Sequence, residues 1–175
     1  MLLQTDRIYL KILSEENVSP DYHQWLNDYE ITRFLESRWK YQTRDSVLDY
    51  IHYINKSEND VLFGMFLLNE KKHIGNIKIG SINWMHRNAD VGLLIGDRSA
   101  WGKGYGTDAI RLATKYAFES LNLHKLIAGI YRGNEGSYKA FIKAGWSDIG
   151  IMKEHRFFEG KYIDEYLVEI ISSAK

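Results

Sequence analysis

Residues 90–111 read DVGLLIGDRSAWGKGYGTDAIR. An apolar run of Val91, Leu93, Leu94 and Ile95 stops at Gly96 and Asp97. Gly102, Gly104 and Gly106 follow, and then Ala109, Ile110, Leu112, Ala113, Tyr116 and Ala117 recur at helical spacing. The stretch reads as a strand, a glycine loop and a helix. Glycine has no Cβ, so the loop backbone can approach a ligand closely. A helix start leaves several N–H groups unpaired and carries partial positive charge. Together these make an anion site, most often for phosphate.

The pattern is not G-x-x-x-x-G-K-[ST], so a P-loop is excluded; the spacing G-x-G-x-G, well into the chain, does not fit the dinucleotide fingerprint either. A second segment narrows the choice. Lys125–Tyr131 reads as a buried strand. A helix follows through Ser137, Tyr138, Ala140, Phe141 and Ala144, with Asn134 suited to its N-cap and Gly145 to the position after its end.

The two segments together resemble the GNAT N-acetyltransferase superfamily. Its pyrophosphate loop, roughly [QR]-x-x-G-x-[GA], matches residues 101–106, with Trp101 in the Gln/Arg slot. Its later pattern, N-x-x-S-x-x-x-[YF]-x-K-x-G-[FW], matches at Asn134, Ser137, Phe141, Lys143, Gly145 and Trp146. The likeness is to the branch of ribosomal-protein, polyamine and sugar-pathway N-acetyltransferases. It implies an α+β fold: a mixed, mostly antiparallel sheet of about seven strands, helices on both faces and a splayed central parallel pair. It also implies acetyl-CoA as cosubstrate. The cofactor-binding candidates are Leu93, Leu94 and Ile95 on the strand edge, Lys103, Gly104, Tyr105, Gly106 and Thr107 in the loop, and Asn134 and Ser137 beyond it.

Acetyl transfer to an amine needs a neutral amine, a base or water chain to take its proton, and donors for the developing oxyanion. The resemblance places a carboxylate base at Asp90, directly or through water; the alternative is a surface aspartate paired with Arg87 or Lys78. The tyrosine that protonates the leaving thiolate in many relatives is replaced here by Phe141, and Tyr138 lies about a turn away. Residues 25–41, with Trp25, Tyr29, Phe34, Trp39 and Tyr41, fall where the family builds its acceptor wall. Trp39, Trp84 and His155 are the substrate-binding candidates, with Arg33, Glu36 and Arg38 as lesser ones. The six histidines show neither H-E-x-x-H nor H-x-H spacing, so no metal is expected.

Composition bounds the rest. A chain of 175 residues fits one domain, residues 1–175, with a substantial core. Lys and Arg total 23, as do Asp and Glu, so nothing general draws the chain to nucleic acid or an anionic membrane. There is no cysteine, which excludes disulfides, thiolate metal sites and cysteine nucleophiles. No apolar run approaches the roughly 20 residues of a membrane span, and the first residues lack a signal-peptide core. A cytoplasmic monomer or homodimer acting on a small-molecule amine is expected.

Along the chain, residues 8–13 read as a strand, 17–28 as a helix, 31–41 as irregular, and 44 to about 55 as a helix capped by Thr43. Residues 61–68 and 73–82 read as strands around a polar turn, the second burying Ile74, Ile77 or Ile79, and Ile82. Residues 147–157 and 162–171 form a hairpin in which alternation sets Glu154 and His155 on opposite faces. His124 is expected to pack or cap ahead of the buried strand. Residues 22–36 resemble acetyltransferases of polysaccharide and sugar-nucleotide pathways, which puts a nucleotide-linked amino sugar first among acceptors. A ribosomal-protein N-terminus, a polyamine and an aminoglycoside follow, and a non-catalytic acyl-CoA-binding sensor stays open.

Overall fold

The computed structural model describes residues 3–173. One seven-stranded sheet organises them, in the order β1-β2-β3-β4-β5-β7-β6. The strands are β1 (Ile8–Ile12), β2 (Val61–Leu67), β3 (His73–Asn83), β4 (Asn88–Ile95), β5 (Lys125–Tyr131), β6 (Ser147–Phe158) and β7 (Lys161–Ile171). Every neighbouring pair is antiparallel except β4 and β5. That parallel ladder is short: it runs from Asn88↔Lys125 to Asp90↔Ile127 and stops. β4 continues to Ile95 and β5 to Tyr131, each still held by its outer neighbour. The central strands therefore splay, and β4 beyond Asp90 has an edge that β5 does not cover.

Both faces of the sheet are packed. Helix α4 (Tyr105–Glu119) lays Ala109, Ile110, Ala113 and Ala117 on Ile8, Met65, Ile77, Ile79, Leu126 and Ala128, and α5 (Glu135–Lys143) adds Phe141 to that core. On the other face α1 (Tyr22–Asn27) and α3 (Arg44–Lys56) bury Tyr22, Val47, Ile51 and Ile54 against Leu13 and Leu62. α3 begins at a reciprocal capping box between Thr43 and Ser46, which satisfies two donors that the helix start would otherwise leave open. Ile77 and Ile79 share one strand face and both are fully buried, so the choice between them does not arise.

Several local expectations are corrected. The helix drawn over residues 17–28 is only Tyr22–Asn27, because the Asn17 side chain folds a turn, accepting from Ser14 N–H and donating to the Ile12 carbonyl. Residues 31–41 are not irregular throughout. Asp28 accepts from Glu30 N–H and caps α2 (Tyr29–Thr32), and a 3-10 helix covers Glu36–Trp39. The hairpin turn shrinks to Glu159 and Gly160, whose φ of 48° and 81° fit the two-residue turns that match strand twist. Glu154 sits at φ 49° within a register shift of β6, so simple alternation with His155 does not hold there. The His124 ring is exposed; its backbone, not its side chain, ties to Arg87 and Ser172.

Candidate active site

The glycine loop is built from backbone and braced from outside. α4 starts at Gly104, at φ 83° and ψ 2°, a left-handed conformation that residues with a Cβ rarely adopt. No side chain caps this helix start. Arg7, from the far end of the chain, grips the loop: Nη1 donates to the Lys103 carbonyl at 2.8 Å, and Nε and Nη2 donate to Asp108 Oδ2 at 3.0 and 2.6 Å. The same guanidinium lies over the Tyr105 ring at 5.3 Å. Lys103 offers its carbonyl, and Tyr105 its ring, to that brace. The Trp101 indole N–H donates to the Ile95 carbonyl at 2.8 Å and fastens the loop to the end of β4.

The inner side of the loop faces a cavity of about 590 Å³. The structure brings Leu93, Leu94, Ile95, Gly104, Gly106, Thr107, Asn134 and Ser137 together on its wall, joined by Arg33, Lys139 and Lys143. Asn134 Oδ1 accepts from Ser137 N–H at 3.3 Å, the helix-capping contact, which leaves its amide nitrogen uncommitted to the cap. A Cβ built on Gly102 or Gly136 meets nothing within 4 Å, so the cradle is open there. An uncapped helix start, a glycine loop and a free strand edge fit a pyrophosphate followed by an amide-bearing arm. Phe141 is 1% exposed and stacks edge-on against Trp146, and Tyr138 O–H donates to Asp148 Oδ2 at 2.7 Å. Among the described residues, no tyrosine lines this cavity.

A second cavity of about 600 Å³ opens on the α1 and α3 side of the sheet and shares Leu35, Leu93 and Leu94 with the first. Asp90 lines it. Burial raises the Asp90 pKa above the usual aspartate value, only partly offset by a hydrogen bond from Ser81 and the charge of Lys78. The expected alternative partners are engaged elsewhere or absent. Lys78 pairs with Asp60 at 2.8 Å, and among the described residues Asp90 forms no ion pair. Burial works against the charge of Lys78, but the Asp60 carboxylate outweighs it and holds the ammonium above its ordinary pKa.

The three substrate-binding candidates do not meet. Trp39 is 61% exposed beneath the Arg38 guanidinium, 4.2 Å from the ring centre. The Trp84 N–H is spent on the Glu58 carbonyl and Asn59 Oδ1, and His155 Nε2 lies 3.5 Å from Glu165 Oε2. None of them lines either cavity. Arg38 and Glu36 are structural ties: Arg38 donates to the Leu35 and Phe157 carbonyls and to Tyr131 O–H, while Glu36 accepts from Tyr131 and Arg156. They hold residues 28–41 as a strap across the splay. Sequence reasoning missed Ser37, Lys40, Tyr50 and Ser81 on the second cavity. Tyr50 shares the helical spacing of Val47, Ile51 and Ile54, which marks it as core; Ser37 and Lys40 carry no pattern at all. Among the described residues there is no group of three or more His, Cys, Asp or Glu that could hold a metal ion, and no helix is long and apolar enough to cross a membrane.

The family model for the acetyltransferase (GNAT) domain matches residues 7–147. An uncharacterised N-acetyltransferase of Bacillus subtilis is 23% identical over 97% of this chain and 96% of its own. The spermidine N(1)-acetyltransferase of Vibrio cholerae is 26% identical, covering 86% of this chain and 87% of its own. The crystal structure of a Vibrio cholerae spermidine N-acetyltransferase in complex with CoA and spermine superposes with a TM-score of 0.86 at 23% identity, over 97% of this chain and 98% of that one.

Proposed function

This chain belongs to the GNAT acetyltransferase family, and from that premise we propose that it acetylates the primary amine of a small molecule by direct attack in a ternary complex with acetyl-CoA. The observation that carries the reading is the meeting of two cavities at Leu35, Leu93 and Leu94, where β4 parts from β5. Acetyl-CoA supplies an acetyl thioester. The amides of residues 103–107 hold its pyrophosphate, the edge of residues 91–95 and Asn134 align its arm, and the amine enters from the Asp90 side. Asp90 then takes the amine proton, directly or through water; a carboxylate made more basic by burial suits that task. With Phe141 in the core, the thiolate leaves without a tyrosine acid, which a thiol of pKa roughly 8–9 permits.

A polyamine acceptor is a second reading, favoured by the spermidine acetyltransferases among the relatives. A nucleotide-linked amino sugar is favoured by the pattern of residues 22–36. Thiol release from acetyl-CoA, measured with a panel of amines, tests the proposal: turnover with an amine and none without one is expected. Tight acetyl-CoA binding with no amine-dependent release would leave only a binding protein.

A further inference from the structure

The walls of the acceptor-side cavity carry three charged groups, Lys40, Lys78 and Asp90. Lys78 is neutralised by Asp60, which leaves one carboxylate and one lysine without an ion-pair partner among the described residues. The remaining wall is largely apolar, with Tyr22, Leu26, Leu35, Val47 and Leu62. Asp45 and Asp49, on the same helix as Val47, are exposed and outside the lining. A chain of several ammonium groups would have to shed water here with a single counter-charge, and burying an unpaired charge is strongly unfavourable.

A second observation points the other way in charge. Ser37 and Lys40 lie one turn apart on the strap, with Lys40 N–H bonded to the Ser37 carbonyl at 3.3 Å. Lys40 follows the 3-10 turn in extended backbone, at φ −135° and ψ 130°, and both residues line the same cavity. The Ser37 hydroxyl is buried in the cavity wall without a hydrogen-bond partner, and Lys40 has no ion-pair partner among the described residues. Buried hydroxyls are normally satisfied, so an unsatisfied one in the same wall as a lysine without an ion pair marks a place for an acceptor group.

We infer that the acceptor is a monoamine that also carries an anionic oxygen group, phosphate or carboxylate, held by Lys40 and Ser37 while its amine faces Asp90. This rests on reading the cavity as the acceptor side of an acetyltransferase. It separates the chain from its polyamine-acetylating relatives by charge, not by fold. The two ends of such a molecule meet opposite charges, which orients it: reversing it would set its anion beside Asp90 and its ammonium beside Lys40. A polyamine has no such preference and no second carboxylate to meet.

Four probes isolate charge. Glucosamine, glucosamine 1-phosphate and muramic acid share an amine and a sugar ring and differ in the anion, while spermidine is the polycation. Initial rates of thiol release at low and high salt should rank at least one of the two anionic sugars about tenfold above glucosamine in kcat/KM, with spermidine last. Salt should shrink the anionic advantage. Lys40→Gln and Ser37→Ala should each shrink the ratio of anionic to neutral sugar, and the phosphate and carboxylate arms tell which anion the site takes. Spermidine in first place, or an anionic advantage of unity in the wild type, overturns the inference and leaves acetyl transfer standing. No turnover of any probe, with acetyl-CoA bound, overturns acetyl transfer and the inference with it.

Discussion

The two cavities of this molecule are nearly equal in volume, about 590 and 600 Å³, and are built in opposite ways. The glycine-loop side is backbone: a left-handed Gly104, an uncapped helix start and a strand edge left unpaired by the splay. The other cavity is side chain: Asp90 on β4, Ser37 and Lys40 on a strap, and Tyr50 on α3. Backbone sites need particular residues only where the chain must bend, so they constrain few positions and change little as the sequence drifts. Side-chain sites change with every substitution. The fold is shared at 23% identity with a spermidine acetyltransferase, and residues of the side-chain cavity are where an acceptor preference would be set.

The comparison breaks most sharply at Asp90. Asp90→Asn should lower kcat by the roughly 10²–10⁴-fold typical of a lost general base, and leave the acetyl-CoA dissociation constant unchanged. In the wild type, kcat/KM should rise with pH through an apparent pKa above the usual aspartate value, because burial favours the neutral acid and only the ionised form accepts a proton. A variant with the wild-type rate and the same pH profile would take Asp90 out of the chemistry.

Gly104→Val should give the opposite pattern. A β-branched residue held at φ 83° is strained by about 1–3 kcal/mol, and its Cβ would sit 3.3 Å from Arg7 Nη2. Acetyl-CoA affinity should fall about 10²-fold in calorimetry; unchanged affinity in a folded variant would contradict the loop assignment.

Arg7→Met narrows the test further, because Arg7 braces the loop from behind and lines neither cavity. Losing charge-assisted bonds to Asp108 and Lys103 should raise KM for acetyl-CoA about tenfold, or about 1.4 kcal/mol, while KM for the amine stays put. Equal rises in both constants would make Arg7 a general stabiliser and not a loop brace.

The smallest effect concerns the α1 side of the sheet. Burial pushes the pKa of His73 below 6.5, and its Nδ1 already accepts from Ser19 N–H, which leaves Nε2 to donate to Asn76 Oδ1. The native state therefore binds this proton less readily than the unfolded chain. Its contribution to stability is complete above pH 6.5 and declines as pH falls from there toward the native pKa, levelling off below it. Urea unfolding at pH 8 and pH 5.5 should show a loss that His73→Gln flattens; an equal loss in the variant would assign the pH dependence to other groups.

Legibility in the sequence follows the same division. Glycine spacing and apolar periodicity marked β4, α4, β5 and α5, because left-handed turns and buried faces restrict residue type. Thr43, Asn134 and Gly145 marked helix ends for the same reason, and all three stand where capping chemistry requires. Residues 31–41 read as irregular, whereas α2 (Tyr29–Thr32) ends inside that stretch and a 3-10 helix covers Glu36–Trp39. Their two short helices each span four residues and bury little, so no hydrophobic period forms. Trp39 and Trp84 drew attention as aromatics, yet one ring lies under Arg38 and the other indole binds a turn carbonyl. What brings Ser37 to the cavity is the set of Arg38 bonds to Leu35, Tyr131 and Phe157, up to 119 residues away in sequence. No local pattern encodes contacts at that range.

In the proposed complex acetyl-CoA lies along the free edge of β4 with its pyrophosphate on the glycine loop. Hydrogen exchange read residue by residue, with and without acetyl-CoA, tests it most directly. Slower exchange is expected for amides within residues 91–95 and 103–107, with residues 44–56 of α3 unchanged. Binding that protects α3 or the acceptor cavity, and leaves the loop and the β4 edge exchanging as before, would contradict it.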